Sequence, residues 1–261
     1  MALQLRYPEE ADFHSRSALD VTCHSTPPKI TSAFVRWSHD VRRQHSNNGN
    51  ISFTPNRLII AAGPSASHLM EKIVAHTPES RVIGTIVLST SKIVNTKFDS
   101  SPSAVCSIVS LSHESLAVIS PGDIEENSTW EWIDAVMGSI HSQNVISLST
   151  LMSVTFDEEL HEVCSLQKLC TTSQGGEEKE VPVLALPRFI TGVPAALLTY
   201  CEIRQKRCSA FVSLHHTSST TAQIIKAFGP ILHLVGVEST KPLDTYASSM
   251  NEVKSFEDLY I

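Results

Sequence analysis

Short apolar runs alternate with longer segments of helical length along most of the sequence, and this alternation limits the folds open to the chain. Each run has the length of a buried strand, and the intervening segments carry apolar residues at helical spacing. The runs lie at 57–62, 82–88, 145–151, 183–186 and 208–214, and the longer segments lie at 65–76, 128–140, 157–170, 192–204 and 219–228. Alternating strands and helices are typical of α/β proteins. We therefore predict a layered sandwich with a central, largely parallel sheet covered by helices.

Local signals refine this pattern. A polar turn at 112–115 separates two further apolar runs and predicts a hairpin. Ser128 and Glu131 have the spacing of a capping box, so a helix is expected to begin at Ser128. Acidic residues at 157–159 suit the first turn of a helix over 157–170. The polar stretch 38–56 is expected to be a long loop.

The chain of 261 residues is long enough for one large domain. Residues 1–28 end in two prolines and are interpreted as a loosely ordered N-terminal arm. Residues 29–247 are predicted to form a single α/β domain. Residues 248–261 are mostly polar and acidic, which predicts a flexible C-terminal tail.

Charge and hydropathy argue against several classes of protein. A net charge of −7 is unlike the basic surface of a nucleic-acid binder. No stretch reaches the 18 or so apolar residues of a membrane span, and the first ten residues do not resemble a signal peptide. The six cysteines are scattered, as reduced thiols in a cytoplasmic protein would be. We therefore expect a cytoplasmic protein that binds neither nucleic acid nor membrane.

The turn at 63–67 carries the strongest enzyme-like signal. It follows a strand and opens a helix, as the nucleophile elbow of a hydrolase does, and it would make Ser65 the nucleophile. The motif fails at its fifth position, where Ser67 replaces glycine, and Pro64 fixes the backbone within the turn. We favour an ordinary strand-to-helix turn and keep an α/β hydrolase-like enzyme as the alternative. His215 or His216 would then complete its triad.

Metal and cofactor signals are weak. His161 with Cys164, and Cys201 with Cys208, do not have a recognised zinc spacing. The glycine-rich loops that bind phosphates are missing from the sequence. We predict no metal, no cofactor and no catalytic activity. A third hypothesis is an α/β domain with a ligand pocket beyond its strand ends.

Several segments resemble the proteasome assembly chaperone 1 family. They are residues 57–70, residues 132–139, and residues 192–232 with their sequence VPAALLTYC. The last three residues, Leu259, Tyr260 and Ile261, fit the hydrophobic–tyrosine–any-residue ending of that family. The resemblance implies a chaperone that forms a heterodimer with proteasome assembly chaperone 2. It also implies a role in assembling the α ring of the 20S proteasome.

The same resemblance implies that the tail enters a pocket between neighbouring α-ring subunits. A terminal carboxylate can pair with a lysine there through a charge-assisted hydrogen bond. Tyr260 offers a flat apolar ring with one hydroxyl, a frequent anchor at interfaces. Leu259 would fill an apolar niche. Leu259, Tyr260 and Ile261 are thus the predicted proteasome-binding residues.

Overall fold

The computed structural model describes residues 32–44, 51–88, 106–122, 124–152, 164–174, 181–186 and 188–236. The strands are β1 (Ala33–Trp37), β2 (Arg57–Ala62), β3 (Arg81–Leu88), β4 (Cys106–Ser110), β5 (Ser115–Ser120), β6 (Asn144–Met152), β7 (Cys164–Cys170) and β8 (Arg207–His215). The helices are α1 (His39–Gln44), α2 (Pro64–His76), α3 (Glu126–Ser139), α4 (Gly192–Ile203) and α5 (Thr221–Ala227), with 3₁₀ helices at Thr172–Gln174 and Gly229–Val235. Within these ranges no helix has the length and apolarity needed to cross a bilayer. The predicted arm at 1–28 and the predicted tail at 248–261 lie outside the described residues.

The described strands form one sheet in the order β1-β3-β4-β5-β2-β6-β8-β7. Four successive strands, β5, β2, β6 and β8, run parallel to one another. The remaining pairs, β1/β3, β3/β4, β4/β5 and β7/β8, are antiparallel. The prediction of a mixed α/β sandwich is therefore confirmed, whereas the prediction of a largely parallel sheet is wrong. Four antiparallel pairs outnumber the three parallel pairs.

Two crossovers place helices on opposite faces of the sheet. The chain passes from β2 through α2 to β3 towards one edge, and from β5 through α3 to β6 towards the other. Right-handed crossovers that move in opposite directions must cover opposite faces. We call the side of α3 and α4 the front face, and the side of α2 and α5 the back face.

Strand β2 lies at the centre of the core. Leu58 and Ile60 pack in the front cluster, Ile59 and Ala61 pack in the back cluster, and all four are fully buried. Successive side chains of a strand point to opposite faces, so a strand covered on both sides needs a continuous apolar run. The run at 57–62 met this requirement, and the prediction of a buried strand is confirmed.

Three local predictions are wrong. Residues 164–170, expected in a helix, form the edge strand β7, which pairs with β8 over its whole length. Helix α3 begins at Glu126, so Ser128 is a buried residue of its first turn and caps nothing. The polar stretch 38–56 contains helix α1 in its first part. In each case a tertiary contact overrides the local signal: pairing with β8, packing of α3 on the sheet, and burial of Val41.

Candidate functional site

The predicted proteasome-binding residues Leu259, Tyr260 and Ile261 lie outside the described residues, the last of which is Gly236. The structure does describe the 3₁₀ helix from which residues 237–261 continue. Ile231 and Val235 of this helix are 2% exposed and pack in the back cluster. Arg57, the first residue of β2, donates a guanidinium hydrogen bond to the Leu234 carbonyl. The last described residues therefore lie beside the amino ends of the parallel strands.

The turn at 63–67 has a structural role. Pro64 is the first residue of α2, and Ser65 follows it inside the helix, 7% exposed. A nucleophile elbow holds its serine in a strained turn between strand and helix. In the described part of the chain, Gln205 is the one non-glycine residue with a positive φ, so Ser65 lacks that conformation. Ser67 donates its hydroxyl to the Ser120 carbonyl at 2.6 Å and ties α2 to the end of β5. The geometry of this turn does not support the hydrolase hypothesis.

The buried thiols Cys201 and Cys208 lie next to each other at the junction of α4 and β8. Their mutual hydrogen bond lowers the pKa of Cys201, and together with burial it raises the pKa of Cys208 well above its ordinary value. The described ranges hold no group of three or more His, Cys, Asp or Glu side chains that could bind a metal ion. His161, which was considered with Cys164 as a metal pair, lies outside them. These thiols fill the core under α4.

A pocket of about 360 Å³ opens at the other end of the parallel strands, beside the carboxyl ends of β2 and β6. We call it the strand-end pocket. Its lining comes from three helix starts and two strand ends: Ala62, Gly63, Pro64, Gly122, Ile124, Glu126, Ser149, Thr150, Thr191, Gly192, Val193 and Pro194. Open α/β sheets bind ligands at this edge because helices on opposite faces diverge there and leave a crevice. This is the pocket that the third hypothesis expected.

Sequence analysis missed Ser149, which belongs to the pocket lining and is 5% exposed. Its neighbour Leu148 packs in the back cluster, so the alternation of a strand directs Ser149 towards the front face, where α4 begins. The Ser149 hydroxyl has no hydrogen-bond partner. Serines at alternate positions of an otherwise apolar strand, here 147 and 149, are the signal that could have drawn attention to this site.

A second surface feature lies beyond β7. Val183, Leu186 and Phe189 are 65%, 92% and 75% exposed, and we call them the apolar edge. The segment is held to the outer side of β7 by two backbone hydrogen bonds of Lys168, one to Pro182 and one from Leu184. The predicted strand at 183–186 is reduced to this single bridge. Large apolar side chains exposed close together in sequence are typical of surfaces that bind other proteins.

Comparison with known proteins identifies the family. The PAC1 family model, described as proteasome assembly chaperone 4, matches residues 28–257. This chain belongs to the proteasome assembly chaperone family. The protein named proteasome assembly chaperone 1 in Xenopus tropicalis is 24% identical over 242 residues, which cover 87% of this chain and 84% of that protein. Its counterpart in Xenopus laevis is 20% identical over 208 residues, which cover 76% and 72%.

The fold agrees with this family. The crystal structure of PbaA from Pyrococcus furiosus, an archaeal homologue of proteasome-assembly chaperone, superposes with a TM-score of 0.59. The superposition covers 80% of this chain and 88% of PbaA at 13% sequence identity, so it shows a shared fold. The family-model match over residues 28–257 confirms the chaperone family that the sequence resembled.

Proposed function

We propose that this chain, paired with proteasome assembly chaperone 2, promotes assembly of the 20S proteasome α ring in the cytoplasm. The observation that carries the proposal is the family match over residues 28–257, together with relatives named proteasome assembly chaperone 1. The chain would act by binding, without catalysing a reaction.

In this proposal the chain docks on the α ring through Leu259, Tyr260 and Ile261. Gly236 follows the 3₁₀ helix with a φ of 85°, a left-handed conformation that ends the helix. The 25 residues from 237 to 261 can span at most about 80–90 Å when fully extended. That reach would let the folded domain lie on the outer face of a ring while its last residues enter a pocket between two subunits.

The decisive experiment compares tail variants of the full-length chain, tagged at the N-terminus and recovered from cells. Tyr260→Ala should lower the amount of co-purifying α subunits by at least about tenfold, because the anchoring tyrosine side chain is removed. It should keep the partner chaperone. Tyr246→Ala is the matched control, since it removes another tyrosine from the same 25 residues without touching the ending.

A further variant tests the carboxylate by itself. One glycine added after Ile261 keeps all three side chains but moves the terminal charge by one residue. Loss of α subunits from this variant would support carboxylate pairing. Wild-type levels of α subunits with both Tyr260→Ala and the added glycine would refute docking through the tail. The family assignment would be unaffected by that result.

A further inference from the structure

Three helices begin at the strand-end pocket, and none of them has a side-chain cap. The residues before α2, α3 and α4 are Gly63, Glu125 and Thr191, and none accepts a first-turn N–H through its side chain. Helix α5 begins elsewhere and has a complete capping box formed by Thr220 and Gln223. Helix starts without side-chain caps leave backbone donors to other acceptors. At α3 the Ser128 N–H bonds the Glu125 carbonyl at 2.8 Å, and all three starts line one pocket.

The available donors are clearest at α4. Gly192 and Val193 occupy its first two positions, where N–H groups have no acceptor within the helix. Each helix start also carries a partial positive charge from the aligned peptide dipoles. The described lining of the pocket contains no lysine or arginine, so the backbone is its source of positive potential.

Ser149 gives independent support for a ligand. Ser149 is 5% exposed, belongs to the pocket lining and has an unpartnered hydroxyl. A buried hydroxyl without a partner costs about 1–3 kcal/mol, and at Ser149, which lines a pocket, a bound acceptor would offset that cost. An acceptor bound in the pocket would take this hydrogen bond and those of Gly192 and Val193 together.

We infer that the strand-end pocket binds a small organic carboxylate with an apolar body. The carboxylate oxygens would accept from the Gly192 and Val193 N–H groups and from the Ser149 hydroxyl. The apolar body would rest on Ala62, Ile124 and the rings of Pro64 and Pro194, all part of the lining. A volume of about 360 Å³ lies within the usual range for small-molecule sites.

Glu126 determines the sign of the electrostatic test. It is the one acidic residue in the described lining and is exposed at the start of α3. Its negative charge opposes a bound carboxylate and would attract a bound amine. Glu126→Gln should therefore tighten carboxylate binding by about twofold to fivefold, as expected for a nearby exposed charge. It should weaken binding of an amine.

The test uses three probes of one shape with the full-length chain. They are 4-methylpentanoate, its neutral amide and the corresponding amine, each titrated while the backbone amide resonances of Gly192 and Val193 are followed by NMR. We expect saturable shifts with the carboxylate and at least about tenfold weaker binding of the amide, because charge-assisted hydrogen bonds are the stronger kind. Equal binding of acid and amide, tighter binding of the amine, or no saturable shift up to about 20 mM, near the limit of weak specific binding, would overturn the inference.

Ser147 supplies a matched control for Ser149. It is fully buried two residues earlier on the same face of β6, also has an unpartnered hydroxyl, and is absent from the pocket lining. Both Ser147→Ala and Ser149→Ala should leave the melting temperature unchanged or raise it by about 2–4 °C, because each removes an unpaired buried hydroxyl. Ser149→Ala alone should weaken 4-methylpentanoate binding, by about fivefold to tenfold. An equal effect of the two variants on binding would refute the role of Ser149, and none of these results depends on the C-terminal tail.

Discussion

Helices α4 and α5 both follow a threonine in extended conformation, yet the two threonines behave differently. Thr220 accepts a hydrogen bond from the Gln223 N–H at 3.3 Å, and the Gln223 side chain accepts from the Thr220 N–H at 2.8 Å. Thr191 makes no such bond. The third residue of the helix explains the difference: it is Gln223 in α5 and Pro194 in α4, and proline has no N–H to donate.

This difference connects a local sequence choice with the pocket. Helix α5 satisfies its own first turn, so its start needs nothing from outside. Helix α4 lacks the N–H of a third residue, and Thr191 makes no side-chain bond to the second, so the first-turn donors of Gly192 and Val193 remain for the strand-end pocket. A capping residue therefore has to be judged together with the residue three positions later.

The largest expected effect on stability comes from a feature that α4 and α5 share: each buries apolar side chains against the sheet. Leu197 of α4 and Ile225 of α5 are fully buried on opposite faces. Leu197→Ala and Ile225→Ala should each lower the free energy of unfolding by about 2–5 kcal/mol, because each leaves a cavity in a packed core. Urea unfolding monitored by circular dichroism measures this. Ile203→Ala, at a position 67% exposed, is the control and should change stability by less than about 0.5 kcal/mol.

A smaller effect separates the two helix starts. Thr220→Ala should cost about 1 kcal/mol, the usual value of a lost N-cap, whereas Thr191→Ala should cost a few tenths at most. The same urea experiment gives both values. Equal costs for the two substitutions would show that Thr191 caps α4 in solution and would remove the contrast.

The explanation through Pro194 can be tested by a double-mutant cycle. Pro194→Ala restores an N–H at the third position, so Thr191 gains a donor to bind. In that background Thr191→Ala should cost about 0.5–1 kcal/mol more than it does in the wild-type chain. A coupling energy near zero would mean that something other than the missing N–H prevents capping.

The smallest effect lies at the other end of α4. The hydroxyl and the backbone N–H of Thr172 donate to Glu202 and hold the pKa of this carboxyl below its ordinary value of 4.5. A depressed pKa in the folded state gives stability that is present above the unfolded value and is lost as the pH falls through the folded value. Thr172→Ala should raise the pKa of Glu202 in an NMR titration of its carboxyl carbon. Thr199→Ala, which removes a hydroxyl bonded to Ala195 instead, should leave it unchanged.

Much of the fold could be predicted because it follows from local patterns. The continuous apolar run at 57–62 identified the buried central strand, and Pro64 and Pro194 marked where α2 and α4 begin. Sequence reasoning failed at 164–170, where Leu166 and Leu169 have the i, i+3 spacing of a helix. Pairing with β8 decided for the strand, and that partner lies about 40 residues away in the sequence.

The candidate sites divide in the same way. The chaperone family and the tail hypothesis came from short motifs that can be recognised without a fold. The strand-end pocket could only be expected in general terms, since its lining joins residues from 62 to 194. The exposure of Leu186 and Phe189 could not be predicted. The residue type alone does not tell whether the fold buries an apolar side chain or leaves it in solvent.

By itself, the sequence determined the alternation of strands and helices, the buried centre of the sheet and the missing N–H of Pro194, because each depends on residues that are close along the chain. Only the tertiary structure decided the mixed direction of the strands, the edge position of β7 and the meeting of three uncapped helices around Ser149. Those features depend on hydrogen bonds and packing between distant segments, whose free energy exceeds the local preferences that sequence patterns report.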